Sequence, residues 1–148
     1  MRLLLQRVTR ASVTVDGVVT GAIDQGLVAL VGIGHGDDEA AVRALADRTC
    51  DLRIFRDAEG RTNLSLMDVG GSVLAISQFT LYADTRKGRR PSFLGAAPPD
   101  LGDRLYQAYA AALAARGVTV ARGIFGAEMA VELVNDGPFT IWLDSAAG

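Results

Sequence analysis

Residues 27–33 read Leu-Val-Ala-Leu-Val-Gly-Ile, seven positions without one polar side chain. A strand with one wet face alternates apolar and polar residues, because successive side chains point to opposite faces. An unbroken apolar run of this length predicts a strand covered on both faces, so the rest of the chain has to supply two covering layers. The composition allows it: 49% of the 148 residues are apolar and 22% charged, enough for a core in one ordinary domain.

Around that run, strand patterns at about 2–9 and 11–15 lead into Asp16-Gly17, a hairpin turn pair, and a further strand at about 18–23. Downstream, Asp37, Asp38 and Glu39 suit a helix N-terminus, and Val42, Leu45, Ala46 and Thr49 or Cys50 recur at helical spacing before a short strand at about 52–55. After the Gly60 turn and the Gly70-Gly71 pair, residues 72–83 read as one long strand whose tail turns polar at Ser77 and Gln78. A second helix is expected from Asp100 as its cap, with Leu101, Leu105, Tyr109 and Leu113 on one face and Gly117 at its end. Final strands fall at about 118–122, 128–134 and 139–144, and residues 145–148 read as a frayed tail. The sum is one α+β domain, residues 1–148, of largely antiparallel strands and two main helices, with no β-α-β repeat and no internal linker.

Chemistry-bearing residues are sparse. Cys50 is the single cysteine and His35 the single histidine, which leaves no intrachain disulfide and no Cys/His zinc site. Carboxylates sit at helix starts, at turns and singly on strands, so no metal is expected and no cofactor either. Gly32, Gly34 and Gly36 match no phosphate-loop pattern, and a Ser-His-Asp mechanism would rest wholly on His35 in a turn. The net charge of −2 argues against a protein that coats nucleic acid over its whole surface. Yet Arg86, Lys87, Arg89 and Arg90 stand within five residues around Gly88, a basic loop that is either simply solvated or able to receive phosphates. No run of about 18 apolar residues is present, and the opening apolar stretch, broken by Gln6 and Arg7, is too short for a signal peptide; no membrane contact and a cytoplasmic protein are expected. A chain so poor in acid–base groups either binds without reacting or catalyses with backbone groups and its substrate.

Two segments remain. "SQFTLYADTRKGRRPSF" (77–93) and "NDGPFT" (135–140) resemble the two signature motifs of bacterial-type D-aminoacyl-tRNA deacylases. "QRVTRASVTVDG" (6–17), "LRIFRDAEGRTNLSLMDVGG" (52–71) and "GAAPPDL" (95–101) look like the same family, so the resemblance covers essentially the whole chain. It implies barrel-like β-sheets and a homodimer that hydrolyses the ester between a D-amino acid and the 3′-terminal adenosine of tRNA. It further implies a cis Gly137-Pro138 pair that reaches into the other subunit's site and excludes L side chains, with Asn135 and Thr140 in the same motif. From the residues alone a trans break is expected, since only about 5–6% of X–Pro bonds in folded proteins are cis. Glycine has no side chain to reject, so glycyl-tRNA mischarged on tRNA for alanine is implied as a substrate too.

In "SQFT" a strand that ends in polar residues can leave the backbone N–H groups of Phe79 and Thr80 free to face the developing oxyanion, with Ser77 and Gln78 beside them. Thr80 is then either a nucleophile, for which no base is evident, or a positioning residue for water attack assisted by the 2′-hydroxyl of the terminal ribose. By the same resemblance, Arg7 would brace the Gly137-Pro138 segment. Phe125, with Met129 nearby, would stack on the terminal adenine, and Arg86, Lys87, Arg89 and Arg90 would receive the acceptor stem. Phe139 stands where a valine is commonly seen after Gly-Pro.

Overall fold

The strand that organises the molecule is the first, β1 (Arg2–Val15), in a computed structural model that describes residues 1–147. It pairs antiparallel with β8 (Ala130–Asp144) from Arg2 opposite Asp144 to Thr14 opposite Ala130. A strand has two edges, so every other partner of β1 shares the remaining one. β2 (Val18–Ile23) lies along Ala11–Val15 and β3 (Gly26–Gly32) along Arg2–Val8, end to end. The reversal is made by Asp16 and Gly17, both at positive φ (49° and 77°), as the turn pair predicts.

β3 is the apolar run, and both of its faces are covered. Leu27, Ala29 and Val31 pack with Leu45 and Cys50 of α1 (Glu39–Asp51) and with Leu105 and Tyr109 of α3 (Pro99–Ala115). Val28 points the other way, into a cluster with Val8, Val13 and Ile23 and with Leu74 and Ile76 of β6 (Ser72–Ser77). The polar tips carried into the first layer are paired: Tyr106 donates to the Ala75 carbonyl at 2.8 Å, and Tyr109 shares a hydrogen bond with Thr49 at 2.9 Å.

β3 pairs parallel with β6, and β6 parallel with β7 (Val120–Arg122). Parallel neighbours need long crossovers, and α1 and α3 supply them. Two β-α-β units are therefore present, which corrects the expectation of none. The first was illegible because its crossover also holds the β4 (Phe55–Arg56) and β5 (Thr62–Leu64) hairpin and the four-residue α2 (Leu66–Val69), which break the alternation of strand and helix. Pairing nonetheless stays largely antiparallel, and the α+β class stands.

The sheet runs β2-β1-β3-β6-β7, with β8 on the free edge of β1, and its far ends meet. A β-carbon on Gly21 would lie 2.7 Å from the Arg122 carbonyl oxygen, and the Thr20 hydroxyl donates to that same oxygen at 3.4 Å. β2 thus rests on β7, and the sheet is nearly a barrel.

Several boundaries differ from expectation: the strands expected at about 2–9 and 11–15 are the single β1, and the one expected at about 52–55 begins only at Phe55. β6 stops at Ser77, and Phe79–Tyr82 forms a 3-10 turn rather than more strand. Pro98 occupies the cap position of α3, which puts Asp100 in its first turn. The last two expected strands are one, β8, carried across the Gly-Pro break by continued pairing with β1. Residues Ser145–Ala147 form a short 3-10 turn in which the Ser145 N–H donates to the Met1 carbonyl at 2.9 Å; the tail expected to fray also includes Gly148, which lies outside the described residues. Among the described residues no helix is long and apolar enough to cross a membrane.

Closure of the barrel at Gly21 predicts that Gly21→Val, which pushes β2 off the Arg122 backbone, loses about 1–3 kcal/mol of stability in urea unfolding. Gly36→Ala, with open space at its β-carbon position, should stay within about 0.5 kcal/mol of the parent.

Candidate active site

The last ladder bond of β6 runs from the Gln78 N–H to the Val31 carbonyl at 2.8 Å. The chain then tightens, with Leu81 N–H on the Gln78 carbonyl (3.2 Å) and Ala83 N–H on the Thr80 carbonyl (3.0 Å). The N–H groups of Phe79 and Thr80 precede the first of these bonds and have no carbonyl acceptor among the described residues, as the opening donors of any helical turn do. The sequence led to the same two donors through a fraying strand end; a 3-10 turn is what presents them.

Phe79, but not Thr80, lines a cleft of about 610 Å³. Ile76, Ser77, Gln78 and Phe79 line it together with Phe93, Phe125 and Met129. Phe79 is 56% exposed and meets Phe93 edge-on, 5.1 Å between centroids. The Thr80 hydroxyl accepts a hydrogen bond from the Gln78 side-chain amide. Phe125 leans on Tyr106, 6.3 Å between centroids, and the Met129 thioether lies directly against Gly123, where a side chain would displace it. Phe93 is one of several lining residues that sequence reasoning left without a role, although it sits inside the quoted 77–93 motif.

No residue lining the cleft is titratable. His35 is elsewhere, its Nε2 2.7 Å from the Leu94 carbonyl oxygen, and Cys50 is buried in α1, where burial pushes its thiol above the ordinary value. Among the described residues no cluster of His, Cys, Asp and Glu is arranged to hold a metal.

The 135–140 motif forms a second constellation. Between Val8, opposite Asn135, and Gln6, opposite Thr140, β1 advances two residues while β8 advances five, so the residues between are thrust out of the ladder. Gly137 and Pro138, joined by a cis peptide bond, are exposed at the crest. Beneath them Arg7, only 2% exposed, donates to the Asp136 carbonyl (3.0 Å) and the Ile54 carbonyl (2.5 Å), pairs with the Asp136 carboxylate (3.3 Å) and stacks 4.4 Å over the Phe139 ring. Burial pulls its guanidinium below the ordinary value and nearby Arg56 adds to this, whereas Asp136 opposes it. Arg56 reaches both oxygens of the same carboxylate, at 3.1 and 3.2 Å. Asn135 ties the loop from inside, donating to the Arg7 and Phe139 carbonyls at 2.9 and 3.0 Å; Thr140 accepts from Gln6 at 3.3 Å. No local sequence signal pointed to Ile54 or Arg56, because their part depends on how the β4 strand packs against β8.

The predicted site residues thus divide into two places within one chain, and no residue of 135–140 lines the cleft. The basic loop adjoins the cleft through Phe93. It is a hairpin closed by reciprocal Asp84–Ser92 backbone bonds of 2.7 and 2.9 Å, with Gly88 at φ 71°. Arg86 is committed to Asp84 (2.6 and 2.9 Å), whose carboxyl it holds well below the usual range, while Lys87, Arg89 and Arg90 are exposed without an ion-pair partner among the described residues.

A nearly closed α+β barrel with these motifs has known relatives. The family model described as D-Tyr-tRNA(Tyr) deacylase matches residues 4–144. A D-aminoacyl-tRNA deacylase of Thermomicrobium roseum is 60% identical over 146 residues, 99% of this chain and 95% of the relative; one of Dinoroseobacter shibae is 60% identical over 97% and 99%. A solved structure named c-Myc DNA Unwinding Element Binding Protein superposes with a TM-score of 0.91 at 36% identity, covering 97% of this chain and 98% of the other. A probable eukaryotic D-amino acid tRNA deacylase shares the fold, with a TM-score of 0.83 at 20% identity over 96% of this chain and 97% of the other. This chain belongs to the D-aminoacyl-tRNA deacylase family.

Removing the Arg7 guanidinium strands the Ile54 and Asp136 carbonyls and part of a carboxylate. Arg7→Ala should cost about 2–4 kcal/mol in urea unfolding, and Arg7→Lys should recover less than half, because one ammonium cannot span both carbonyls.

Proposed function

We propose that this chain hydrolyses the ester linking a D-amino acid to the 3′-terminal adenosine of tRNA, releasing free D-amino acid and tRNA. The observation that carries this reading is a cleft lined by Phe79, whose backbone N–H has no carbonyl acceptor among the described residues, by Phe93, Phe125 and Met129, and by no titratable side chain; the Thr80 N–H is the next donor along the same turn. Water adds to the ester carbonyl, the N–H groups of Phe79 and Thr80 take up the negative charge on its oxygen, and the 3′-oxygen of the ribose leaves with a proton. The vicinal 2′-hydroxyl relays protons that no protein group is placed to carry. Thr80, its hydroxyl oxygen engaged by Gln78, positions rather than attacks. Ser77 lines the same cleft, Phe125 and Met129 hold the adenine, and the basic loop receives the acceptor stem.

The active species in this reading is a homodimer. Gly137 and Pro138, exposed and outside the lining of their own cleft, enter that of the second copy, with Asn135, Thr140 and Arg7 holding them in shape. Their carbonyls occupy the space an L side chain would need and leave a D side chain free to turn outward; selectivity is rejection of L. Glycine presents nothing to reject, so glycyl-tRNA charged on tRNA for alanine is also cleaved.

The second reading is a non-catalytic nucleic-acid-binding module, favoured by the name of the relative at 36% identity and by the free cations of the 86–90 loop. Incubation with matched D- and L-aminoacyl-tRNA separates the two. Loss of the D-ester and the glycyl ester with survival of the L-ester is expected; binding without ester loss would leave only the module, and equal cleavage of D- and L-tyrosyl-tRNA would remove the chirality gate. Sedimentation at assay concentration should give a dimer, and a fully active monomer would defeat the composite site.

Thr80→Ala leaves both backbone donors in place and should retain measurable single-turnover hydrolysis. A substrate ending in 2′-deoxyadenosine should bind yet react about 10²-fold more slowly or worse. The reverse pattern, an inactive Thr80→Ala and a normal 2′-deoxy substrate, would make Thr80 the nucleophile.

A further inference from the structure

On the far side of the Phe79–Tyr82 turn lies a second cavity, about 730 Å³, larger than the cleft and lined by none of its residues. Its walls come from the start of β1, the end of β8, the 34–37 loop and the outer face of α1. The acidic groups that line it are already engaged. Asp37 accepts from the Gly34 N–H (2.6 Å) and the Tyr82 hydroxyl (3.2 Å), and Asp144 from Arg2 (3.1 Å) and the Ala146 N–H (2.9 Å). Arg2 is engaged as well. Its guanidinium donates to the Leu81 carbonyl at 2.9 Å and sits between two aromatic rings, 4.3 Å from the centroid of Tyr82 and 5.7 Å from that of Trp142.

Two lining groups have no polar partner among the described residues: the guanidinium of Arg48, exposed in the last turn of α1, and the indole N–H of Trp142, a residue 48% exposed. Both are donors, and the Trp142 ring, although Arg2 lies 5.7 Å from its centroid, is half exposed. With the carboxylates neutralised internally, the cavity offers a cation for an anion and a ring for a flat heterocycle, within a volume typical of small-ligand sites. We propose that this cavity binds a nucleotide, its phosphate on Arg48 and its base on Trp142. Guanidinium–phosphate pairing is strong and directional, and stacking of a base on an aromatic ring tolerates any base identity. The nucleotide is either free or a unit of an RNA strand. The assignment does not rest on ester hydrolysis, since neither Arg48 nor Trp142 has a part in the cleft.

Trp142 is the single tryptophan of the chain, so its fluorescence reports this cavity directly. Titration with AMP should change the emission saturably with an apparent Kd at or below about 1 mM. Arg48→Gln should weaken that Kd about tenfold and Arg48→Glu should abolish the response; the position is exposed, so both variants should fold, and D-aminoacyl-tRNA hydrolysis in the absence of nucleotide should be unchanged in both. A short single-stranded RNA run in parallel identifies the source: binding at least tenfold tighter than AMP marks an RNA strand, equal or weaker binding a free nucleotide. The proposal fails if neither AMP nor RNA perturbs Trp142, if the response survives in Arg48→Glu, or if inorganic phosphate alone reproduces it.

Discussion

Both edges of β1 are occupied, and the rest of the molecule depends on that double pairing. One edge is taken by β8 for almost its whole length, the other by β2 and β3 in succession. This forces β3 into the middle of the sheet, where its two apolar faces are buried by the helices on one side and by the barrel interior on the other. It also fixes where β6 ends, because β6 takes its register from β3: the final pair is Val31 with Ser77, and the Gln78 N–H closes onto the Val31 carbonyl. The 3-10 turn that follows begins where the sheet has no further carbonyl to offer. Its leading N–H groups have no carbonyl acceptor among the described residues for that reason.

The one large interruption of the β1–β8 ladder lies where Arg7 is buried. A cation almost wholly removed from water needs acceptors on several sides, and it finds them in the Ile54 carbonyl, the Asp136 carbonyl and the Asp136 carboxylate, with the Phe139 ring against its face. Desolvation works against that charge, and the carboxylate of Asp136 offsets part of it. The arrangement clamps both ends of the protruding segment, so that Gly137 and Pro138 stand out from a crest that is held from below.

The Phe79–Tyr82 turn has two faces. Its leading end borders the cleft, and its trailing end, through the Leu81 carbonyl and the Tyr82 ring, is gripped by Arg2. That grip secures the turn against the sheet at the level of Asp144, the last residue of β8. The orientation of the two backbone donors is therefore set by contacts from both chain ends of the domain rather than by the local sequence alone.

Read by itself, the sequence determined the elements whose signals are local. The seven-residue apolar run, the Asp16-Gly17 turn, the apolar face of α3 and the order of the two signature motifs depend on side chains near one another along the chain, and they identify the family and Ser77, Gln78, Phe79 and Phe93 of the cleft lining. The two β-α-β crossovers could not be read there, because a hairpin and a short helix sit inside the first and parallel pairing leaves no mark of its own in a buried run. Nor could the fusion of the last strands into β8, which continues past Pro138 only because β1 supplies partners on both sides of the break. The sequence places four cations in one loop, yet only the fold shows Arg86 turned back onto Asp84. It places Arg7 and the Gly-Pro pair 130 residues apart, and only the fold seats one beneath the other while holding both away from the cleft. Edge sharing, register and burial are relations between distant segments, and a linear pattern carries the propensity of each segment without the partner that decides its use.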